Sequence, residues 1–531
     1  MNRNSVSPFG AAPGIKIPRS KISKPHTHKT TFNIGKLVPI YCQQVLPGQT
    51  VEMDMQSFIR LSTPVTPTMD ELICDTYFFF VPNRFLWADF EKWLGANPDG
   101  SWVQTNTYNA PKLGNTSSTT RVFGPNDAAA YLGIYPPNVA VPALGTTRLF
   151  CPSVLPLRAM CKCWNDWFRN ENLEREIPFS TGGDTGITGA TNNFYNDIVM
   201  GYGLCPVNKT ADVFTRSLPA PQKGDSVRIP LGDMTLFTDG SSQTPLYVDS
   251  SYVVKSSAAS NMSSLNLDPS SLGTINDLRN AFAIQRMLER DARGGTRYIE
   301  LLRSHFSVSN GDLTLGRSEY LGGKRFGINM SQVTQSGGSP NSGTPTPLGS
   351  VAGMSVTGDK SSLFTKSFTE HGWLLGFVVA RIKQHTYSQG INRQFFFNTR
   401  YDIYWPELCN LGEFAVYKRE IYAGSSTSPN LNNNVFGYQE AWYMYRYAPN
   451  RLSGYMATQV TGALSTWHYG DLYSSAPSLN TSFSHEEEYQ LNRTLAVSGD
   501  SSHQFIADFF FNEKDVLPMP LYSVPGLVDH V

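Results

Sequence analysis

Residues Thr50–Gln56 set Val51, Met53 and Met55 against Glu52, Asp54 and Gln56 in strict alternation, the period of a strand with one buried face. The next apolar run, ICDTYFFFV at Ile73–Val81, does not alternate and predicts a strand covered on both faces. Four later runs rich in β-branched and aromatic residues are bounded by Gly, Pro or Asn and predict further strands. They are SFTEHGWLLGFVVARI (367–382), GEFAVYKREIY (412–422), FGYQEAWYMYRY (436–447) and HQFIADFFF (503–511).

Spacings of three and four interrupt this pattern in three places. Asn83 stands where it could cap a short helix presenting Leu86, Phe90, Trp93 and Leu94. Pro156 opens a second segment, with Leu157, Met160, Cys161, Trp164, Trp167 and Phe168 on one wide apolar face. Thr274 and Asp277 have capping-box spacing before Leu278, Phe282, Ile284 and Leu288. Gly294-Gly295 predicts a break there, after which Tyr298, Leu302 and Phe306 resume the helical face. Residues 225–272 are polar and weakly patterned, and 335–362 read as a low-complexity flexible loop. No internal repeat is visible. Many strands and turns, long loops and few helices predict an all-β sandwich or barrel carrying insertions.

Composition adds a second requirement. Of 531 residues, 40% are hydrophobic and 12% aromatic, with 31 Phe, 25 Tyr and 9 Trp. Each buried ring removes roughly 150–250 Å² from water. A chain with so many insertions needs cover from outside itself, which neighbouring subunits can supply. Charged residues are only 16%, and 43 basic side chains balance 43 acidic ones. Such a surface is poorly protected against association. Tyr, Trp, Met and Arg, the residues that anchor interfaces, make up nine of the fifteen residues of Trp442–Met456, part of which also reads as core strand.

The N-terminal segment has its own character. Arg3, Lys16, Arg19, Lys21, Lys24, Lys29 and Lys36 precede the first acid, Glu52. Residues 1–31 read either as a solvated tail or as a basic arm lying along a polyanion. No apolar export segment opens the chain, and the longest apolar run, Trp373–Ile382, is too short to span a bilayer. The seven cysteines lack framework or zinc spacing, Cys161 and Cys163 being a lone C-x-C, so reduced thiols and synthesis in a cytoplasm are expected.

Candidate chemistry is sparse. His26-x-His28 has no partner ligand near it in sequence. His485 precedes Glu486, Glu487 and Glu488, a run that reads as solvated acids. Glu370-His371 falls in a strand-like run, where alternation sends the pair to opposite faces. The GGTRY turn (294–298) lacks the strand-then-helix order of a phosphate loop and reads as a tight turn. Cys161 lies on an apolar helix face, where burial silences a thiol. No G-x-S-x-G, H-E-x-x-H or Walker pattern occurs.

Several long segments resemble one family. FNIGKLVPIYCQQVLPGQTVEMD, MDELICDTYFFFVPNRFLW, PLRAMCKCWNDWFRNENL, DVFTRSLPAPQKGDSV, LERDARGGTRYIELLRSHF, RSEYLGGKRFGIN, TRYDIYWPELCNLGE and the closing PMPLYSVPGLVDHV are similar to the major capsid protein of the Microviridae, small single-stranded DNA bacteriophages, in their gokushovirus branch. The likeness covers nearly the whole chain in order. It departs at CKCWNDWF, where cysteines replace expected bulkier residues, and at 225–272, which match nothing recognisable.

The resemblance implies an eight-stranded antiparallel jelly roll of viral capsid type with long loop and helical insertions. It divides the chain into a basic arm (1–31), a first jelly-roll part with helical insertions (32–224), a variable exposed insertion forming a threefold protrusion (225–272), and a second jelly-roll part (273–531) with a helix at 274–306 and the loop at 335–362. It implies a T=1 icosahedral shell built from copies of the chain in the host cytoplasm, with no enzymatic activity, cofactor, metal or membrane insertion. The implied partners are the chain itself, the single-stranded DNA genome, minor virion proteins (a DNA pilot, a scaffolding or DNA-binding protein) and a host cell-surface receptor. Arg3, Lys16, Arg19, Lys21, Lys24, Lys29 and Lys36 are then expected to face DNA. The alternative is a carbohydrate-binding or hydrolytic jelly-roll protein using loop aromatics and Glu486–Glu488.

Overall fold

The structure is a computed structural model. It describes residues 18–96, 107–145, 147–227, 275–309, 311–337, 347–424, 433–497 and 503–522, with four short strand pieces between 236 and 267.

Eight long strands form two four-stranded antiparallel sheets. In chain order they are β1 (Ser20–Phe32), β2 (Val38–Val45), β3 (Thr50–Leu61), β4 (Leu72–Pro82), β5 (Glu319–Ile328), β6 (Thr357–Ser367), β7 (Gly372–Ile382) and β8 (Phe505–Leu517). The first sheet runs β1-β8-β3-β6 and the second β5-β4-β7-β2. This order is compatible with a viral capsid jelly roll.

The alternation of β3 is realised residue by residue, with Val51, Met53, Met55, Ile59 and Leu61 buried. They share a core with Phe505, Phe509 and Phe511 of β8, Phe78 and Phe80 of β4, and Val378 of β7, so both sheets close on one apolar layer. The triple phenylalanine of β4 faces two ways. Phe78 and Phe80 enter that layer, while Phe79 and Val81 face a second core on the other side of the sheet. Leu157, Met160 and Cys161 of helix α1 (Leu155–Cys163) supply that second cover, with Trp164. Pro156 sits in the first turn of α1, and a π-turn at Trp164–Phe168 ends it. The Phe168 ring meets Phe79 edge-on at 5.9 Å between centroids. A β4 buried on both faces therefore needs no polar alternation, as its sequence foretold.

Gly376 in β7 makes room for this layer. A Cβ there would lie 2.7 Å from the Phe78 ring and 2.9 Å from Tyr41. Arg158 of α1 is buried and its Nη1 donates to the Leu86 and Gly182 carbonyls at 3.1 Å, while its Nε has no hydrogen-bond partner among the described residues. A third cluster holds Phe214, Tyr387, Phe436, Tyr443 and Phe483 under a hairpin of Glu413–Tyr417 and Val435–Glu440. Helices α2 (Ile275–Gly294) and α3 (Tyr298–Phe306) bury no residue. They meet at Gly294-Gly295, and Gly295 takes a φ of 96° that favours glycine.

Several expectations change. Residues 20–31, read as part of an arm, form β1 together with Phe32, paired along its whole length with β8. Pro25, His26 and His28 in its middle hid that strand. Asn83 caps nothing: Pro82 precedes the helix Asn83–Leu86, and Trp93 and Leu94 are exposed while Leu86 and Phe90 are buried. Glu370 and His371 lie in the turn before β7, where Glu370 pairs with Arg84 at 2.8 Å. Of the loop expected at 335–362, residues 351–355 pair with 330–334 and 357–362 belong to β6. Small and hydroxyl side chains there pair through backbone, without an apolar signature. Thr274 and most of 225–272 lie outside the described residues.

Candidate functional site: the basic edge strand, buried ion clusters and uncovered rings

Of the seven basic residues, Arg3 and Lys16 lie outside the described residues. Arg19 is exposed just before β1. The four lysines all have acidic partners: Lys21 with Glu52 at 3.7 Å, Lys24 with Glu513 at 3.2 Å and with Asp515, Lys29 with Asp508 at 3.3 Å, and Lys36 with Glu488 at 3.6 Å. Lys21 and Lys29 remain largely in water, at 63% and 72% side-chain exposure, where such pairs hold weakly.

Lys24 reaches an unusual spot. The inward positions of β8 are apolar up to Phe511 and then become Glu513 and Asp515, both buried. Tyr41 donates to Glu513 at 2.9 Å and Gln49 donates to Asp515 at 3.0 Å. Burial raises the Glu513 carboxyl pKa, and the neighbouring Asp515 raises it further. Burial pulls Lys24 down, but Asp515 and Glu513 outweigh it and its pKa rises. The His26 ring lies tilted beside Phe511, 5.1 Å between centroids, and burial lowers the His28 pKa. Among the described residues no group of three His, Cys, Asp or Glu side chains could hold a metal ion.

A second charged cluster is wholly buried. His385, just past β7, sits between Asp471 (Nδ1 to Oδ1, 3.3 Å) and Glu486 (Nε2 to Oε2, 3.1 Å). Lys209 donates to Asp471 at 3.2 Å, as do Gln490 and Tyr473 at 2.9 Å each. Burial disfavours the imidazolium, yet Glu486 and Asp471 overcome that and push its pKa to about 10. Burial likewise opposes the Asp471 carboxylate, but Lys209 and His385 hold its pKa far below the carboxylate range. The acidic run is thus only partly in water: Glu486 is buried in this cluster, Glu487 and Glu488 are half-buried, and His485 beside them pairs with Glu174. Its members lie up to 281 residues apart, from Lys209 to Gln490, so no local motif announces them.

Cys161 is buried and its thiol is pushed up to about 12 by burial, which matches the inert reading. Cys409 is the exposed cysteine. Elsewhere large rings lie open. Phe395, Phe397, Tyr401, Tyr404 and Trp405 share one turn-rich segment, each 44–67% exposed. Tyr445 is exposed beside it, 6.4 Å from the Tyr404 ring. Leu149 and Phe150 form an exposed tip. These open rings offer association surface.

The sequence model of the family described as capsid protein (F protein) matches residues 11–527. Three relatives are each described as capsid protein VP1. That of Spiroplasma virus 4 is 36% identical over 558 residues, covering 98% of both chains. That of Chlamydia phage 1 is 34% identical over 597 residues, covering 98% of this chain and 97% of its own. That of Bdellovibrio phage phiMH2K is 34% identical over 561 residues, covering 99% and 98%.

Proposed function

The chain belongs to the capsid protein (F protein) family, and from that premise we propose that copies of it close into a T=1 icosahedral shell around a single-stranded DNA genome. Its role is structural, and the shell is made from copies of itself. The two four-stranded sheets are read as an eight-stranded jelly roll, because their order places the first and last long strands side by side and interleaves the rest. The insertions between strands then carry the contacts between copies.

The observation that carries this reading is the open aromatic surface at Phe395–Trp405, on a chain whose relatives are capsid proteins. Rings at that exposure are costly in water and valuable in an interface. Weak contacts repeated around a closed shell add up, and heterologous patches that close under symmetry give a finite particle.

Finer roles follow from the same premise. The segment 1–19, with Arg3, Lys16 and Arg19, lies along DNA and neutralises phosphates without reading sequence. Lys21, Lys24, Lys29 and Lys36 add less, since each already faces an acid. Residues 225–272 form the exposed protrusion that meets a host receptor. Minor virion proteins join the shell during assembly in the host cytoplasm, and the chain performs no catalysis. The carbohydrate-cleaving alternative is disfavoured because Glu486 is buried against His385 and so cannot serve a substrate.

Electron microscopy of the purified chain tests the central reading. Round particles of one diameter are expected. A monomer that persists at high concentration in every buffer would refute it.

A further inference from the structure

Helix α2 is turned inside out. A surface helix ordinarily buries its apolar residues against its own chain. Here the half-buried positions are Asp277, Ala281, Gln285, Leu288, Glu289 and Ala292 on one side, a face that is half polar, with Asp291 and Gly294 half-buried against α3 at the C-terminal end. The large apolar residues point away: Ile275 is 72% exposed, Phe282 63%, Met287 56% and Ile284 51%. The helix is fixed to its own chain by polar contacts near its C-terminal end. Arg293 pairs with Glu413, Asp291 with His305 at 2.6 Å, and the Leu288 carbonyl accepts from the Lys223 amide at 3.3 Å.

The exposed apolar residues do not form one stripe. At about 100° per residue, Ile275, Leu278 and Phe282 fall on one flank of the helix. Ile284 and Met287 fall on the other, about 180° around. Between the two flanks the outward arc carries Arg279, Arg286 and Arg290, all exposed, the last two at the open mouth of a cavity against Cys409, Asn410 and Gly412 of the same chain. Both sides of the helix thus ask for an apolar neighbour, while the outward arc suits water.

We propose that α2 is wedged between two other copies of this chain, the Ile275/Leu278/Phe282 flank of one copy packing on the Ile284/Met287 flank of the next around a rotation axis. A second copy is the occupant because the family reading, on which this inference rests, makes identical neighbours the obligate partners. A single self-complementary patch would need one apolar face per copy. Two different faces on opposite sides are what a head-to-tail ring requires. The polar inner face fits as well, since the helix is an element of the ring before it is an element of its own subunit's core.

Two charge substitutions test this in the full-length chain. Phe282→Glu spoils one flank and the pair Ile284→Glu/Met287→Glu spoils the other. All three positions are exposed, so circular dichroism should match the wild type. Each variant alone should lose at least ten-fold in particle yield and run as a monomer on gel filtration. Mixed one to one, they should form a dimer that neither forms alone, because the mixture contains one intact pair of flanks but cannot close a ring. A variant that assembles like the wild type overturns the inference, as does one that dimerises by itself or a mixture that stays monomeric.

Cross-linking gives an answer even if a charged variant fails to fold. In particles of Phe282→Cys/Met287→Cys carrying Cys409→Ser, oxidation should give a ladder of covalent oligomers ending at one ring size. Absence of that ladder, or cross-linked pairs in the Phe282→Cys single variant, overturns the inference. Failure of the wild-type chain to assemble at all would instead overturn the capsid reading, so the two can be told apart.

Discussion

Raising the pH from 6.5 to 10 should weaken this protein through one residue, His385. Its imidazole is clamped between Asp471 and Glu486 with no access to water, and its pKa is pushed from 6.5 to about 10. A folded-state pKa above the unfolded value means that the folded chain holds the proton more tightly. The stabilisation is therefore complete below pH 6.5 and is lost as the pH rises through 10. One pKa unit corresponds to about 1.4 kcal/mol, so the linkage amounts to about 5 kcal/mol, released at about 1.4 kcal/mol per pH unit across that window. Asp471 acts in the opposite direction. Its depressed pKa stabilises the fold above the ordinary aspartate range and is lost only in strong acid. The Tyr473 hydroxyl, raised by burial and by Asp471, stays protonated throughout. His385→Gln keeps a hydrogen-bonding side chain but leaves Glu486 without its cation, a loss of about 3–5 kcal/mol near neutrality. The assay is guanidinium unfolding of the wild type and the variant at pH 6.5, 8 and 9.5. The gap between them should be widest at pH 6.5 and should shrink steadily. A gap that stays constant across the three would show that His385 is not protonated in the fold, and the electrostatic account would fail.

Phe79→Ala removes a ring buried between β4 and α1 and should cost about 3–5 kcal/mol, measured by the same unfolding assay. A cost under about 1 kcal/mol would mean that the second core is not packed as described. Removal of residues 2–17, which leaves β1 whole, should lower the DNA content of particles more than it lowers their yield. Equal DNA content per particle in the two preparations would rule that out. Thiol titration of the native chain should find one fast-reacting cysteine, Cys409, and Cys409→Ser should abolish the fast phase. A fast phase surviving that change would place another thiol in water.

Some of this was legible residue by residue. Strict alternation at Val51, Met53 and Met55 and the unbroken run through Phe78–Phe80 each report burial on one face or on two, a local consequence of the strand's period. Helix α1 was equally readable, because its apolar spacing matched the face it does bury. Helix α2 shows where such reading fails: the spacing of Leu278, Phe282 and Leu288 predicted a helix, and a helix formed, but only Leu288 turns inward, while Ile275, Phe282, Ile284 and Met287 face away from the chain's own core. Periodicity reports that an apolar face exists and is silent on which molecule covers it. The His385 cluster was invisible for another reason. Its partners come from segments up to 281 residues apart, and each looks ordinary alone: a lysine in a loop, an acid in an acidic run. The strand at 20–32 was hidden because its outward face is basic and hydroxylic, and its pairing partner lies near residue 510.

The position of β8 bears on how the particle is made. It lies in the middle of the first sheet, between β1 and β3, yet it is the last of the eight long strands to leave the ribosome. Until residue 517 has emerged, β1 has no neighbour in its sheet and the Phe505, Phe509 and Phe511 side of the core is missing. A product that stops short of β8 lacks the strand that joins β1 to β3 and cannot complete the first sheet. The first sheet therefore closes only in polypeptides translated through β8.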